Sequence, residues 1–194
     1  MKRISIFALL LTLAIFAFPV LAGSSGAGGG ATAITARTVF CPIANQSAAA
    51  GATTQLTRNN AVAWEADAGI AQGIHATFQI PADYTSGNPT IRVRWSHATA
   101  QDGTAEDIVL QATYQVVAAG DTLGAGTANT AVTVAVPASE AADIVSSTTL
   151  GTITGAVAGK MVMLKVIRLA ADVGDTWVST TFFSTVEIEY TSSL

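Results

Sequence analysis

From Ala61 onward the chain alternates apolar and polar residues with a period of two, the pattern of strands with one buried and one wet face. In GIHATFQIP, Ile74, Ala76, Phe78 and Ile80 share one face, and His75, Thr77 and Gln79 share the other; Pro81 and the turn cluster ADYTSGNP close the strand. TIRVRWSH sets Ile91, Val93 and Trp95 against Arg92 and Arg94. DIVLQATYQVV sets Ile108, Leu110, Ala112, Tyr114 and Val116 against Gln111, Thr113 and Gln115. AVTVAVP repeats the alternation with Val132, Val134 and Val136, and ASEAADI reads as a short helical turn. TLGTIT, MVMLKVIRLA and STTFFSTVEIEY supply three more strands, the last pointing Phe182, Val186, Ile188 and Tyr190 inward and Thr181, Phe183, Glu187 and Glu189 outward.

With ARTVFCPI and NAVAWEA the count reaches about eight or nine strands separated by Gly, Asn, Asp and Pro clusters, and there is no amphipathic helix of three turns. The expected fold is all-β: a two-sheet antiparallel β-sandwich of jelly-roll type with a flexible N-terminal arm. Met161 to Leu164 is apolar on both parities, as in a strand covered on both sides by a second layer or subunit. The loops around AAGDTLGAGTANTA are long, rich in small residues and exposed.

The first residues change the compartment. Lys2 and Arg3 form a positive start, Ile4 to Phe18 an apolar core, and Val20-Leu21-Ala22 a small-residue cleavage site, so residues 1–22 read as a cleaved signal peptide. Residues 23–60 form a Gly/Ala-rich segment with one strand, and 61–194 the sandwich domain. Lys2 and Arg3 are two of 9 basic residues, so the mature chain carries 7 against 13 acidic ones, a net of −6. That balance excludes nucleic acid and anionic membrane as partners, which need clustered cations. Localisation is extracellular or at the cell surface. Cys41, the one cysteine, has no internal disulfide partner and reads as a small buried apolar residue or as a bridge between copies.

Candidate chemistry is sparse. His75 lies on a wet face, and His97 sits at a strand end where a hydrogen-bonded structural histidine is expected; no G-x-S-x-G, H-E-x-x-H or paired C-x-x-C occurs. The reading is not an enzyme, and no cofactor is expected. Carboxylates gather in DGTAED (Asp102, Glu106, Asp107) and ADVGDT (Asp172, Asp175), where Ca2+ is the one ion such loops would hold; turn-forming aspartates are the competing account. Trp64 and Trp177, near strand ends, are the candidates for stacking on a sugar, with core packing as the competing account. Asn45-Gln46-Ser47 is a glycosylation sequon.

GSSGAGGGATAITARTVFCPI joins a glycine leash to a segment with strand composition. Such an arm can pair with a neighbour's sheet edge, which makes Thr38, Val39, Phe40, Cys41 and Ile43 candidate subunit-interface residues. It can equally form the first strand of its own sheet. Trp64, FQIPADYTSGNPTIRVRWS, AGKMVMLKVIRLAADVGDT and VEIEY together resemble small jelly-roll proteins found among tailed-phage virion components and uncharacterised secreted microbial proteins. The matched positions are Phe78, Pro81, Tyr84, Gly87, Trp95, Leu164, Arg168, Asp172, Asp175 and Thr176. The resemblance implies a structural role and no active site, and the signal peptide departs from a virion protein. The expected function is a secreted structural subunit that self-assembles into a filament, sheath or surface layer by strand addition of the arm, its partners being other copies of itself. The alternative is a secreted carbohydrate-binding sandwich module, with glycans as ligands.

Overall fold

The computed structural model describes residues 34–41, 43–45, 47–48, 51–52, 54–58 and 61–193. The signal peptide, the glycine leash and Gln46 of the sequon lie outside them. The described residues belong to one compact unit, Thr32–Leu194.

Among the described residues fourteen strands follow one another: β1 (Ile34–Cys41), β2 (Ile43–Asn45), β3 (Ser47–Ala48), β4 (Gly51–Ala52), β5 (Thr54–Arg58), β6 (Ala61–Ala66) and β7 (Gln72–Gln79). After them come β8 (Tyr84–His97), β9 (Glu106–Val117), β10 (Thr127–Ala128), β11 (Val132–Val136), β12 (Ser146–Thr152), β13 (Met161–Arg168) and β14 (Thr181–Ser193). Sheet A runs β12-β8-β14-β6-β5, and sheet B runs β10-β9-β13-β7-β2 with β11 also on β9; every pairing is antiparallel. Of the eight strands β6 to β9 and β11 to β14, β6, β8, β12 and β14 lie in one sheet and β7, β9, β11 and β13 in the other. The chain changes sheet at every step among them except from β9 to β11, which is the jelly-roll connection. The alternating faces meet between the sheets, where Ile74, Ile91, Val93, Trp95, Ile108, Leu110, Leu164 and Ile188 are buried. ASEAADI forms turns and no helix, with the Glu140 N–H donating to the Pro137 carbonyl at 2.9 Å.

β14 corrects one parity. Phe183, expected outside, is fully buried in the core because the register with β8 slips between Phe183 and Thr185. A bulge at that point exchanges the two faces. Phe182 then lies beneath the Arg58 guanidinium, which stands 4.5 Å from its ring centroid.

Gly73 pairs with Ile167 in the centre of sheet B. A Cβ there would sit 2.2 Å from the Val166 carbonyl oxygen. Gly73→Ala must part β7 from β13, and we expect a loss of about 2 kcal/mol in denaturant unfolding; an unchanged midpoint would contradict the packing.

The N-terminal segment is built into both sheets. β1 pairs with β14 over eight positions, from Ile34↔Ser193 to Cys41↔Val186, β2 pairs with β7, and β5 pairs with β6. β1 and β6 lie end to end along the same edge of β14, β6 covering Thr181 to Phe183.

Candidate functional site

The outer face of sheet B carries a candidate site. Strand register places His75, Lys165 and Thr113 side by side across β7, β13 and β9, with Thr77, Met163 and Gln115 in the next row. The pleat sends these side chains away from the core, while Leu164 and Tyr114 between them point inward and are buried. Met161 and Met163, expected to be covered, are 46% and 36% exposed on this face.

A loop over residues 118–126 rises beside the rows and is held by one side chain. Gln115 Nε2 donates to the Thr122 carbonyl at 2.9 Å, and its Oε1 accepts the Gly124 N–H at 2.9 Å. The Asp121 carboxylate accepts the Ala118 N–H at 2.7 Å, closing the turn at the start of the loop. At the far end Gly126 has φ 76°, and a Cβ there would lie 2.7 Å from the Tyr114 carbonyl oxygen. Only glycine lets the loop return this close to β9.

Sheet and loop enclose a hollow of ≈ 260 Å³ lined by His75, Thr113, Gln115, Leu123, Met163 and Lys165. A second hollow of ≈ 320 Å³ shares Tyr114, Gln115 and Gly126 with it and adds Val116, Thr127, Thr154, Gly155 and Lys160. Partial burial and the neighbouring Lys165 ammonium hold the His75 pKa below its ordinary value, so the ring is neutral at neutral pH and has one donor and one acceptor nitrogen. The first hollow, the trough on the outer face, has hydroxyl, amide, imidazole and ammonium groups beside two apolar side chains, Met163 and Leu123. None of its residues was a candidate site residue in the sequence. The available signal was His75, Thr113 and Gln115 on wet faces, with a long small-residue loop following β9.

The expected site residues lie elsewhere. Trp64 and Trp177 are 7% and 3% exposed. Trp177 packs edge-on to His97 at 5.0 Å, and Trp64 edges a shallow hollow beside Cys41 and Val62 with nearly all its ring covered. Neither offers a ring face to a sugar, which corrects the stacking assignment: Trp64 packs into the core from within β6 and Trp177 from the β13–β14 loop. The fold brings the two acidic loops together, since Thr176 Oγ1 accepts the Asp107 N–H at 2.8 Å and the Asp107 carbonyl accepts the N–H groups of Thr176 and Trp177. Asp175, however, is buried and bidentate to Arg168, at 2.7 and 3.0 Å, so its carboxylate is unavailable to a cation. Asp172 accepts the Gly174 N–H at 2.8 Å and Asp102 the Thr104 N–H at 3.0 Å, both as turn residues. Glu106 is half-buried and pairs with Val136. Among the described residues no three His, Cys, Asp or Glu side chains converge as a metal site would require.

In the arm, Thr38 and Phe40 face outward, Phe40 being 64% exposed, Val39 and Ile43 are half-buried, and Cys41 lies in the core. Burial pushes the Cys41 thiol up to about 12. A thiol so disfavoured as thiolate is a poor partner for disulfide exchange. His97 is fully buried, its Nδ1 2.6 Å from the Thr99 carbonyl and its Nε2 3.1 Å from Glu140 Oε2.

The fold and the trough define a jelly-roll sandwich with a concave surface on one sheet. No family model matches the chain, and no curated protein matches it. The resemblance to virion and secreted jelly-roll proteins therefore rests on its strand and turn residues alone. Among solved structures the chain is similar to the CBM36-1 domain of a multidomain xylanase from the hindgut metagenome of Trinervitermes trinervoides, at 11% identity and a TM-score of 0.42, covering 79% of this chain and 96% of that one. It is also similar to the arabinose-bound MgGH51 a-L-arabinofuranosidase, at 10% identity and a TM-score of 0.42, covering 76% of this chain and 23% of that one. At these scores neither likeness bears on what the chain does.

Proposed function

We propose that this protein is a secreted, non-catalytic carbohydrate-binding β-sandwich that takes an oligosaccharide in the trough on the outer face of sheet B, using its own side chains and no cofactor. The observation that carries this reading is the trough itself. A sugar ring has hydroxyls around its rim and C–H groups on its faces, and the trough sets hydrogen-bonding groups from three strands beside Met163 and Leu123. The role as a binder rather than a catalyst is supported by His97, whose two ring nitrogens face the Thr99 carbonyl and Glu140 inside the core. The self-assembly reading has no comparable observation behind it: β1 is paired along its length with β14.

The test is affinity electrophoresis of the mature protein through gels containing neutral and acidic polysaccharides. Retardation by at least one polymer is expected. Gln115→Ala releases the loop from Thr122 and Gly124 and is expected to weaken binding about tenfold or more while leaving the fold intact, since Gln115 is not a core residue. Retardation by no polymer, or unchanged binding by Gln115→Ala, would refute the assignment.

A further inference from the structure

Lys165 stands in the trough on the middle strand of sheet B, between His75 on β7 and Thr113 on β9. It is half-buried there, and among the described residues it has no ion-pair partner. Each described arginine, by contrast, is paired: Arg37 with Asp83, Arg58 with Asp143, Arg92 with Glu189, Arg94 with Glu187 and Arg168 with Asp175. The chain holds 13 acidic residues against 9 basic ones, yet no residue lining the trough is Asp or Glu. The carboxylate of the neighbouring loop, Asp121, accepts the Ala118 N–H and lies outside that lining. Lys160 is separate, since it precedes β13 and lines the second hollow.

The hydrogen-bonding balance of the trough points the same way. The Gln115 amide is engaged by the loop, its Nε2 with the Thr122 carbonyl and its Oε1 with the Gly124 N–H. The sheet then offers a ligand the Lys165 ammonium, which only donates, beside the Thr113 hydroxyl and the His75 ring. A neutral sugar's hydroxyls donate as well as accept, so a site built for them carries carboxylate or amide acceptors. An ammonium partly screened from water, with no carboxylate beside it, is complemented by an oxyanion.

We infer that the ligand of the trough carries an oxyanion, the carboxylate or sulfate of one acidic sugar residue, which seats on Lys165 between His75 and Thr113. The inference rests on the trough being the glycan site proposed above. One negative group per site suffices, so the acidic residue is a chain end or a single member of an otherwise neutral oligosaccharide. The same register gives the site a pH response. β7 brings His75 to the ammonium, β9 brings the neutral Thr113 and Gln115, β2 sets Ala44 opposite His75, and the loop's Asp121 is engaged in its own turn. His75 is therefore the group beside Lys165 that changes charge between about pH 5 and pH 8. In the free protein, burial and the Lys165 ammonium hold the ring pKa below its ordinary value. A bound oxyanion offsets the ammonium and accepts from a protonated ring. Protonation and binding then favour each other, and affinity rises as pH falls.

The experiment screens the mature protein on an array of neutral, carboxylated and sulfated oligosaccharides at about pH 8 and about pH 5, with polyglutamate as a competing non-sugar polyanion. The variants are Lys165→Gln, Lys165→Arg, His75→Gln and Lys160→Gln. Expected is binding confined to the carboxylated or to the sulfated glycans, which identifies the recognised group, and tighter at the lower pH. Lys165→Gln should weaken it about tenfold or more, and Lys165→Arg should restore most of it. His75→Gln should lose the gain on acidification, and Lys160→Gln should bind as the parent does. Thermal unfolding of each variant checks that the fold is kept. Equal binding to acidic glycans and their neutral counterparts, or no loss in Lys165→Gln, overturns this inference and leaves the glycan site standing. An equal loss in Lys160→Gln, or displacement by polyglutamate, overturns it in favour of unspecific charge attraction. Binding that does not tighten in acid overturns the seat beside His75. Binding to no glycan overturns both readings.

Discussion

Arg168→Met is expected to lower the stability of the fold by about 3–5 kcal/mol, because it leaves a buried carboxylate without its counter-charge. Arg168 and Asp175 have side chains 0% and 1% exposed. From the end of β13 in sheet B, the Arg168 guanidinium donates to both Asp175 oxygens, to the carbonyls of Trp177 and Ser179, and to Thr181 Oγ1 at the start of β14 in sheet A. One side chain thus holds the β13–β14 loop and ties the two sheets at that end. Asp175 also accepts the Val109 N–H at 3.1 Å, so the orphaned carboxylate keeps one partner. In a chain of this size the loss corresponds to roughly 6–20 °C in Tm. The double variant Arg168→Met/Asp175→Leu is expected to be more stable than Arg168→Met alone, since the unpaired charge is gone. Circular dichroism melts of the three proteins read this directly, and a single-variant loss under about 1 kcal/mol would contradict the buried network.

Trp95→Ala should cost about as much, roughly 3–5 kcal/mol, by a different route. Trp95 is 1% exposed on β8 and is among the largest fully buried side chains. Its ring lies between the sheets, 6.5 Å from His97 by centroid, and its Nε1 donates to Thr148 Oγ1 on β12 at 2.9 Å. Truncation removes the ring and leaves a void that neighbours in two sheets cannot jointly fill. Trp95→Phe keeps most of the apolar volume and removes the indole N–H, so its cost is expected to be nearer 1–2 kcal/mol, the value of one buried hydrogen bond plus a smaller void. Urea unfolding separates the two variants. Equal losses would mean that the hydrogen bond and not the packed ring dominates at this position.

The residues that define this protein divide by how local their determinants are. The faces of β7, β8, β9 and β11 were legible because a strand's pleat has period two, so Ile74, Val93, Leu110 and Val134 declare their side within a few residues, whereas β13, apolar on both parities from Met161 to Leu164, did not. The two-sheet class followed from that alternation and from the turn clusters between the runs. The face of Phe183 did not, because a bulge against β8 resets the parity of β14 and β8 is far away in sequence. Trp64 and Trp177 looked available at strand ends, and the core that buries them is assembled by tertiary contacts. Asp175 looked like a ligand until the fold brought the Arg168 guanidinium onto it. The arm's composition marked a strand but could not choose an edge. Every antiparallel edge offers the same backbone donors and acceptors; in the structure β1 pairs with β14 and Cys41 packs in the core. The trough is the extreme case. His75, Thr113 and Lys165 touch only through cross-strand register, which hydrogen bonds between distant segments set. The sequence by itself determined which way each side chain points along its own strand, and the tertiary structure alone decided which side chains stand next to one another.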